Sequence, residues 1–283
     1  MTEPRSARRS ALFMPGANGR ALAKARELPA DVVIVDLEDA VAPDAKVAAR
    51  AQAVAALGEG GYGARELVMR VNGADTDWGA DDLGAAAASA AHAVLLPKVE
   101  RAEQVQAAAR TLPPGKGIWA MIETPRGVLN VAAIAQSSDR LECLVAGTSD
   151  LTTDLHARHT PDRMPMLTSL SLILLAGRAA GLTLLDGVYL DIKDAAGFRA
   201  VCEQGRTLGF DGKTLIHPTQ VEPCNAVFGP ADTEIDWARR AIAAYDDAMA
   251  AGSGLAVLDG KLVENLHVEE ARRILARATM IAD

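Results

Sequence analysis

Short apolar runs alternate with longer, Ala-rich stretches along most of the chain. The runs end in polar or turn-forming residues, which is typical of buried strands in a parallel sheet. The stretches between them, such as Pro43–Leu57 and Arg101–Thr111, have apolar residues at helical spacing, and Asp194 stands where the N-cap of another helix is expected. The eight predicted strands are Ala11–Met14, Val32–Asp36, Glu66–Val71, Ala93–Pro97, Gly117–Ile122, Glu142–Ala146, Thr183–Asp186 and Gly212–Ile216.

Eight strands that are each followed by a helix-like stretch match the number that closes a (β/α)8 barrel. The alternative is a doubly wound open sheet, whose first strand leads into a GxGxxG turn in dinucleotide-binding folds. The corresponding turn here reads "MPGANGR" and lacks that pattern. We therefore predict an α/β fold, with a TIM barrel over residues 1–229 as the catalytic domain.

The alternation ends after Gly229. Ala231–Ala250 reads as one long helix, "GLAVLDGKLV" as an extended, hairpin-like piece, and Val268–Ala278 as a final helix. A barrel needs no further strand, so these residues must bury their apolar side against something else. We predict that residues 230–283 form a C-terminal helical appendage that reaches a neighbouring subunit.

Composition narrows the possible functions. The chain has 283 residues, 49% of them hydrophobic, and a net charge of -8, which argues against nucleic acid as a partner. Cys143, Cys202 and Cys224 show no paired spacing, which favours a reducing compartment. The residues before Pro15 lack the apolar region of a signal peptide, and no run is long enough for a membrane span. We expect a cytoplasmic protein without a membrane partner.

Polar residues follow nearly every predicted strand. In barrel enzymes the catalytic groups lie at the C-terminal ends of the strands, so these residues are expected to meet at one rim. The groups at these ends are Pro15-Gly16, Glu38-Asp39, Arg70-Val71-Asn72, Pro97-Lys98, Glu123-Thr124, Gly147-Thr148-Ser149-Asp150 and His217-Pro218.

Glu123 and Asp150 end adjacent strands, the fifth and the sixth, and are expected to lie side by side. Two carboxylates with few His or Cys nearby favour a hard cation, Mg²⁺ rather than Zn²⁺. Two other interpretations remain open. The carboxylates could share a proton, or Thr124 or Asp150 could cap the helix that follows.

Arg70 also ends a predicted strand, and its guanidinium is suited to a bidentate grip on a carboxylate or an oxo-acid. An ion pair between Arg70 and Glu38 or Asp39 is an alternative that does not exclude the first role. Such a partner is needed, because unpaired carboxylates at the end of a buried strand are costly. Lys98 can balance the same acids, and His217 is expected to be a hydrogen-bonded scaffold residue.

Eight motifs in order closely resemble the citrate lyase beta-subunit-like family, a relative of the malyl-CoA and citramalyl-CoA lyases in the aldolase/citrate lyase superfamily. Together they extend over essentially the whole chain. They are "RSALFMPGANGRAL", "DVVIVDLEDAV", "LVMRVN", "VLLPKVE", "MIETPRGV", "AGTSDL", "GFDGKTLIHPTQ" and "LDGKLVE".

The resemblance implies a Mg²⁺-dependent barrel that makes or breaks a carbon–carbon bond in a hydroxy-acid thioester. By this likeness Glu123 and Asp150 are the metal ligands, and Arg70 and Glu123 bind the oxo-acid or hydroxy-acid portion. Glu38 and Asp39 resemble the acids that surround the metal site in this family. The resemblance implies that they hold metal-bound waters and orient either Arg70 or Lys98.

Asp259, in "LDGKLVE", resembles a tail residue that completes the active site of a neighbouring subunit in related lyases. In a retro-Claisen cleavage the metal lowers the pKa of the substrate hydroxyl, and Arg70 stabilises the developing keto group. An acid such as Asp259 then protonates the departing enolate carbon. The alternative is that Asp259 is a turn residue, since Asp-Gly favours tight hairpins.

The expected function is therefore an oxo-acid-lyase that cleaves or forms a citryl, citramalyl or malyl thioester. Its products would be an acetyl or other acyl thioester and an oxo-acid. The alternatives are a citrate lyase complex subunit that acts only with an acyl carrier protein, and an oxo-acid aldolase independent of CoA. The expected partners are an oxo-acid, an acyl-CoA or acyl-carrier thioester, and further copies of the chain in a trimer or hexamer.

Overall fold

The computed structural model describes residues 6–282. The outer bounds of the two predicted domains, Met1 and Asp283, lie outside the described residues. All eight predicted strands are present, and each bound agrees with the prediction to within one residue. The strands are β1 Ser10–Pro15, β2 Val32–Asp36, β3 Glu66–Arg70, β4 Ala93–Leu96, β5 Gly117–Ile122, β6 Leu141–Ala146, β7 Thr183–Asp186 and β8 Gly212–Leu215.

The strands form one closed parallel barrel in sequence order. Each strand pairs with the next, and β8 pairs with β1, so the barrel has no free edge. This closure confirms the predicted TIM barrel and excludes the doubly wound alternative.

Helices connect the successive strands. They are α1 Gly19–Ala25, α2 Lys46–Glu59, α3 Gly79–Ala88, α4 Ala102–Thr111, α5 Pro125–Leu129, α6 Val131–Ala135, α7 Thr148–Asp154, α8 Leu167–Ala180, α9 Ala195–Leu208 and α10 Val221–Phe228. Pro43 begins a single 3₁₀ turn rather than the α-helix itself, which starts at Lys46. Asp194 is the N-cap of α9, as predicted, and its side chain accepts the N–H of Gly197. No helix among residues 6–282 combines the length and apolarity required to cross a membrane.

Alternation along the strands determines which side chains enter the barrel. Val32 and Ile34 belong to the interior cluster, whereas Val33 and Val35 pack in the layer between the sheet and the helices. Asp36 continues the inward series, because successive side chains of a strand point to opposite faces. The same alternation directs Glu66, Val68 and Arg70 of β3 towards the barrel axis. It does the same for Trp119 and Met121 of β5 and for Glu123, which follows that strand.

The chain divides into two compact units between Phe228 and Gly229. The second unit contains α11 Asp232–Ala250, the antiparallel hairpin of β9 Ala256–Leu258 and β10 Lys261–Val263, and α12 Asn265–Ala282. Its own small core is formed by Ala238, Ala241, Ala256, Val263, Val268 and Ala271. The final helix starts three residues earlier than predicted, where the N–H of Glu264 donates to Nδ1 of His267.

Candidate active site

A cavity of about 370 Å³ opens at the C-terminal ends of the barrel strands. It combines an apolar wall with a group of charged side chains, which is the usual composition of a small-molecule site. Its lining residues include Phe13, Met121, Val188, Leu190 and Ile216 on the apolar side, and Asp36, Asp39, Arg70, Glu123 and Asp150 on the charged side.

Arg70 is held at this mouth by Asp36. The two residues are register partners at the ends of β2 and β3, and both point into the barrel. Nε of Arg70 donates to Oδ1 of Asp36 at 2.7 Å, and Nη2 donates to Oδ2 at 2.6 Å. This buried bidentate pair fixes the plane of the guanidinium. Asp36 was not among the predicted site residues. A signal for it was present, because Asp36 and Arg70 each end a five-residue strand and the two strands are neighbours.

The other side of Arg70 contacts two further acids and an aromatic ring. Nη1 lies 2.8 Å from Oε2 of Glu38 and 3.5 Å from Oδ2 of Asp39, so the ion pair considered from the sequence is present. Cζ lies 4.7 Å from the ring centroid of Phe13, within the range of a cation–π contact. Burial acts to lower the pKa of Arg70, but Asp36, Glu38 and Asp39 raise it above its usual value, so the guanidinium stays charged.

Glu38 ionises less readily in this structure than an ordinary carboxylic acid. Burial raises the pKa of Glu38 to about 7, with a further contribution from the charges of Asp39 and Asp36, whereas Arg70 and Lys98 oppose the shift. An additional cation at the mouth would favour the ionised form of Glu38.

The backbone around Glu38 is held by hydrogen bonds from Lys46 and Asn72. Nζ of Lys46 donates to the carbonyl oxygens of Leu37 and Glu38 at 3.1 and 3.0 Å. Nδ2 of Asn72 donates to the Leu37 carbonyl at 2.8 Å and to buried Asp82 at 2.6 Å. These contacts were hard to predict from the sequence, because a lysine at the start of a helix is usually solvated.

Glu123 follows β5 and is almost completely buried, with 2% of its surface exposed. Its Oε1 accepts the backbone N–H of Lys98 at 2.8 Å. Burial raises the pKa of Glu123 to about 8. The Lys98 N–H acts against this shift, whereas the charges of Glu38 and Asp150 add to it. The side chain is therefore a buried acid with two further carboxyl groups nearby.

Asp150 approaches Glu123 from the first turn of α7. The close packing of Gly147 against Glu123 requires glycine, because a Cβ at position 147 would lie 2.2 Å from Cβ of Glu123. The N-cap of α7 is Gly147, so Asp150 is not the cap considered from the sequence. Thr124 is such a cap, since its Oγ1 accepts the Gly127 N–H at 3.1 Å.

Lys98 stands between these acids in an unusual backbone conformation. Its φ of 46° lies in the left-handed region, which non-glycine residues seldom adopt. Its Nζ lies 3.8 Å from Oδ2 of Asp150 and 3.9 Å from Oε1 of Glu38. One residue thus contacts Glu123 through its backbone and two other acids through its side chain.

The chemistry of these donors suits a hard cation. Glu123 and Asp150 both line the cavity and offer only oxygen atoms. The pKa of Glu123 is raised by burial and then by the charges of Glu38 and Asp150, and a cation would offset both effects. Within residues 6–282, no group of three or more His, Cys, Asp or Glu side chains is arranged to hold a metal by itself. Mg²⁺ does not require one, because it commonly binds one or two carboxylates together with waters and substrate oxygens.

Two further candidates have structural contacts of their own. Asp259 lies in the second unit, at the turn between β9 and β10, where Asp259 and Gly260 have φ values of 50° and 74°. Nη1 of Arg240 lies 3.0 Å from both of its carboxylate oxygens. His217 caps a 3₁₀ turn, and its Nδ1 accepts the Thr219 N–H at 3.3 Å, which is the scaffold role expected of it.

Comparisons with known proteins agree over most of the chain. A family model described as HpcH/HpaI aldolase/citrate lyase matches residues 9–218. The (3S)-malyl-CoA thioesterase of Cereibacter sphaeroides is 53% identical over 274 residues, which cover 97% of this chain and 95% of the relative. Citrate lyase subunit beta of Escherichia coli is 36% identical and covers 96% of this chain and 94% of its own length. CitE of Mycobacterium tuberculosis, solved with magnesium, acetoacetate and coenzyme A, has a TM-score of 0.82 at 34% identity, covering 98% of this chain and all of that one.

Proposed function

The chain belongs to the HpcH/HpaI aldolase/citrate lyase family, and on that premise we propose a Mg²⁺-dependent carbon–carbon lyase. The family itself makes the protein an enzyme of the lyase type. Its proposed substrate is a β-hydroxyacyl thioester of the malyl, citramalyl or citryl type, which it cleaves into an acyl thioester and an oxo-acid. The observation that supports this most is the meeting of Arg70, Glu123 and Asp150 at one cavity.

The metal is Mg²⁺, the ion named with the CitE structure from M. tuberculosis. Glu123 and Asp150 are its proposed ligands, and Glu38, Asp39 and Lys98 adjust the charge around it. When bound, Mg²⁺ supplies a Lewis acid that polarises substrate oxygens and lowers the pKa of a bound hydroxyl. Glu123 also contributes to binding the substrate through this site.

Arg70 is the proposed anchor for the oxo-acid portion. Asp36 accepts from Nε and Nη2, and Nη1 lies against Glu38 and Asp39. A guanidinium has five N–H donors, so one N–H of Nη2 remains and Nη1 can exchange its contacts with these acids for a substrate. During cleavage the substrate hydroxyl loses its proton and its oxygen becomes the keto oxygen of the oxo-acid. The positive charge of Arg70 is suited to stabilising the negative charge that develops on this oxygen. The Phe13 ring and the Asp36 carboxylate keep the guanidinium in one orientation while this happens.

Asp259 is the proposed proton donor to the enolate carbon, supplied from a neighbouring subunit of a trimer or hexamer. Val257 and Leu262 are exposed cross-strand partners on its hairpin, and an exposed apolar pair of this kind suits burial against another surface. Mixing Asp259→Asn with Glu123→Gln protein tests the sharing. After subunit exchange about a quarter of the mouths would combine both intact residues. Confirmed exchange without recovered activity would show that the site is not shared.

A second candidate activity is hydrolysis of the thioester. The specific observation is the 53% identity with a (3S)-malyl-CoA thioesterase. Water would then attack the thioester carbonyl, with release of the CoA thiol and the free hydroxy-acid. The anchors for the hydroxy-acid portion would be the same, so Arg70, Glu123 and Asp150 serve either reaction.

One assay separates these reactions. We would incubate the protein and Mg²⁺ with malyl-, citramalyl- and citryl-CoA and measure glyoxylate, pyruvate and oxaloacetate as hydrazones, and free CoA with a thiol reagent. Cleavage releases oxo-acid without thiol, and hydrolysis releases thiol without oxo-acid. If neither product forms, the acyl-carrier thioesters are the next substrates, and inactivity with both carriers overturns the proposal. Glu123→Gln protein is the control for contaminating activity.

The proposed location is the reducing cytoplasm. Cys143, Cys202 and Cys224 are all free and buried, which suits such a compartment.

A further inference from the structure

We propose that the Lys98 ammonium is a tethered counter-ion that competes with Mg²⁺ for Asp150, so that metal and oxo-acid bind more tightly together than either does alone. This inference rests on the metal site of the proposed function. It gives Lys98 a specific task, which is to couple the loading of the metal to the presence of substrate.

The first observation is the backbone of Lys98. A left-handed φ of 46° in a lysine persists only when the surrounding structure enforces it. Here the conformation directs the backbone N–H to Oε1 of Glu123, at 2.8 Å, and leaves the side chain to reach the other acids. The backbone therefore secures one carboxylate independently of where the ammonium goes.

The second observation is the placement of the ammonium. Nζ is nearly equidistant from Oδ2 of Asp150, at 3.8 Å, and Oε1 of Glu38, at 3.9 Å. Both distances are too long for hydrogen bonds, so the attraction is one between charges. The side chain is 53% exposed and flexible, which allows Nζ to move without disturbing the core.

The third observation is the contrast with Arg70, the other cation of the mouth. Arg70 is buried and bound by two short hydrogen bonds to Asp36, so it cannot leave. Five carboxylates surround these two cations, namely Asp36, Glu38, Asp39, Glu123 and Asp150. Lys98 is thus the mobile positive charge in a region of excess negative charge.

Repulsion between Lys98 and a divalent cation at Asp150 follows from these positions. Mg²⁺ alone must displace the ammonium from Asp150 or bind beside it, and either costs affinity. A substrate carboxylate brings a negative charge that the displaced ammonium can face. By linkage, the oxo-acid then strengthens metal binding by the same factor as the metal strengthens oxo-acid binding.

The test is calorimetric titration of Mg²⁺ into the metal-free protein, with and without saturating pyruvate as a stable oxo-acid. In Lys98→Met we expect Mg²⁺ alone to bind about tenfold more tightly than in the wild type. The additional tightening caused by pyruvate should be smaller in the variant. Lys98→Arg, which keeps the charge, should resemble the wild type.

Two controls separate this from other effects. Lys24→Met removes the same charge from the last turn of α1, where Lys24 pairs with Glu27, and should leave Mg²⁺ binding unchanged. Lys98→Asn is a second uncharged variant, chosen because Asn tolerates a left-handed backbone. It should tighten Mg²⁺ binding as Lys98→Met does, and circular dichroism verifies that both fold.

The outcomes distinguish the two levels of the proposal. Mg²⁺ binding by the wild type with equal or weaker binding by both uncharged variants overturns the counter-ion role and leaves the metal site intact. Equal coupling to pyruvate in all proteins overturns it as well. No Mg²⁺ binding by the wild type, with or without pyruvate, overturns the metal site and the counter-ion role together.

Discussion

Arg70 and Arg8 lie at opposite ends of the same barrel and resemble each other closely. Each is buried, each binds a carboxylate through two nitrogens, and each lies over an aromatic ring. Cζ of Arg8 is 4.8 Å from the Trp119 ring, compared with 4.7 Å between Arg70 and Phe13. Strand β3 contributes to both ends, since it begins with Glu66, the partner of Arg8, and ends with Arg70.

The difference lies in the surroundings of the two guanidinium groups, since every nitrogen of Arg70 has a protein partner too. Every nitrogen of Arg8 donates to protein, to Glu66 through Nε and Nη2, to Glu142 through Nη2 and to Thr183 through Nη1. Arg70 lines a cavity and is surrounded by acids, one of which has a pKa raised to about 7. Burial and pairing do not by themselves identify a functional arginine. A position on a cavity wall, beside a carboxylate whose pKa is raised, is the more informative signal.

The largest effect is expected for the acids at the two ends. Glu123→Gln should remove Mg²⁺ binding and lower kcat about 10³-fold or more, because the proposed metal site loses a charged ligand. Its thermal stability should not fall, since a carboxylate with a raised pKa becomes a neutral side chain. Glu66→Gln is the matched change at the other end and should lower Tm with normal kcat. Calorimetry and melting curves measure both, and a Glu123→Gln protein that binds Mg²⁺ normally would contradict the assignment.

A smaller but sharper contrast is expected for the arginines themselves. Arg70→Lys should lower kcat/KM about 10²-fold, or about 2.7 kcal/mol, because lysine lacks the planar fork. Arg8→Lys should instead lower the free energy of unfolding by about 2 kcal/mol, through lost hydrogen bonds to Glu66 and Glu142, and leave kcat/KM unchanged. Steady-state kinetics and urea unfolding separate the two. The comparison fails if Arg70→Lys is as active as the wild type.

The pH dependence of stability should also differ between Glu38 and Glu123 at the mouth and Asp186 at the end of β7. The pKa values of Glu38 and Glu123 are raised in the folded protein to about 7 and about 8, against an ordinary value of 4.5. These groups therefore stabilise the metal-free fold below about pH 4.5, and that stability is lost as the pH rises towards 8. Mg²⁺ favours the ionised carboxylates and should reduce the loss.

The pKa of Asp186 is shifted in the opposite direction. Burial acts to raise its pKa, but Lys213 and Arg163 lower it below its usual value of 3.8, so its stabilisation is lost only as the pH falls through the lowered value. Urea midpoints in EDTA between pH 5 and 8.5, with and without Mg²⁺, test the mouth. Asp186 contributes no slope in that range. A flat metal-free profile, or one that Mg²⁺ does not change, is incompatible with the raised values.

The smallest effects are expected for the two rings. Phe13→Leu should reduce kcat/KM only about threefold, because it removes a cation–π contact that orients Arg70 but not the pair with Asp36. Trp119→Phe should leave the kinetics unchanged. Its cost in stability should be partly offset, since Nε1 of Trp119 is a buried donor without a partner. Kinetics that respond to Trp119 rather than Phe13 would reverse the comparison.

The barrel was predictable because its signals are local. Runs such as "VVIVD" and "GIWAMI" are short, apolar and bounded by turn residues, so the strand bounds agree to within one residue. The meeting of Glu123, Asp150, Arg70 and Lys98 at one rim followed from the fold, since each ends a strand or follows its last residue by at most four positions. Their roles in the chemistry remain predictions.

The contacts between side chains were less accessible. The sequence shows three acids in "DLED" but not which one pairs with Arg70, because that depends on the register of β2 against β3. Lys46 is buried against the carbonyls of Leu37 and Glu38, a long-range arrangement without a periodic pattern. The same holds for Asp186, whose partners Lys213 and Arg163 come from separate parts of the chain.

The register of Asp36 with Arg70 also limits how such a chain can change length. An insertion of one residue within β2 would turn Asp36 to the opposite face of the sheet and leave Arg70 without its principal partner. An insertion in the exposed turn at Gly63 and Ala64, which lies outside the strands, would leave the alternation of side chains along β2 and β3 unchanged. In a library of insertions and deletions, active variants should therefore be depleted within β2 and β3 and retained in the turn that joins α2 to β3.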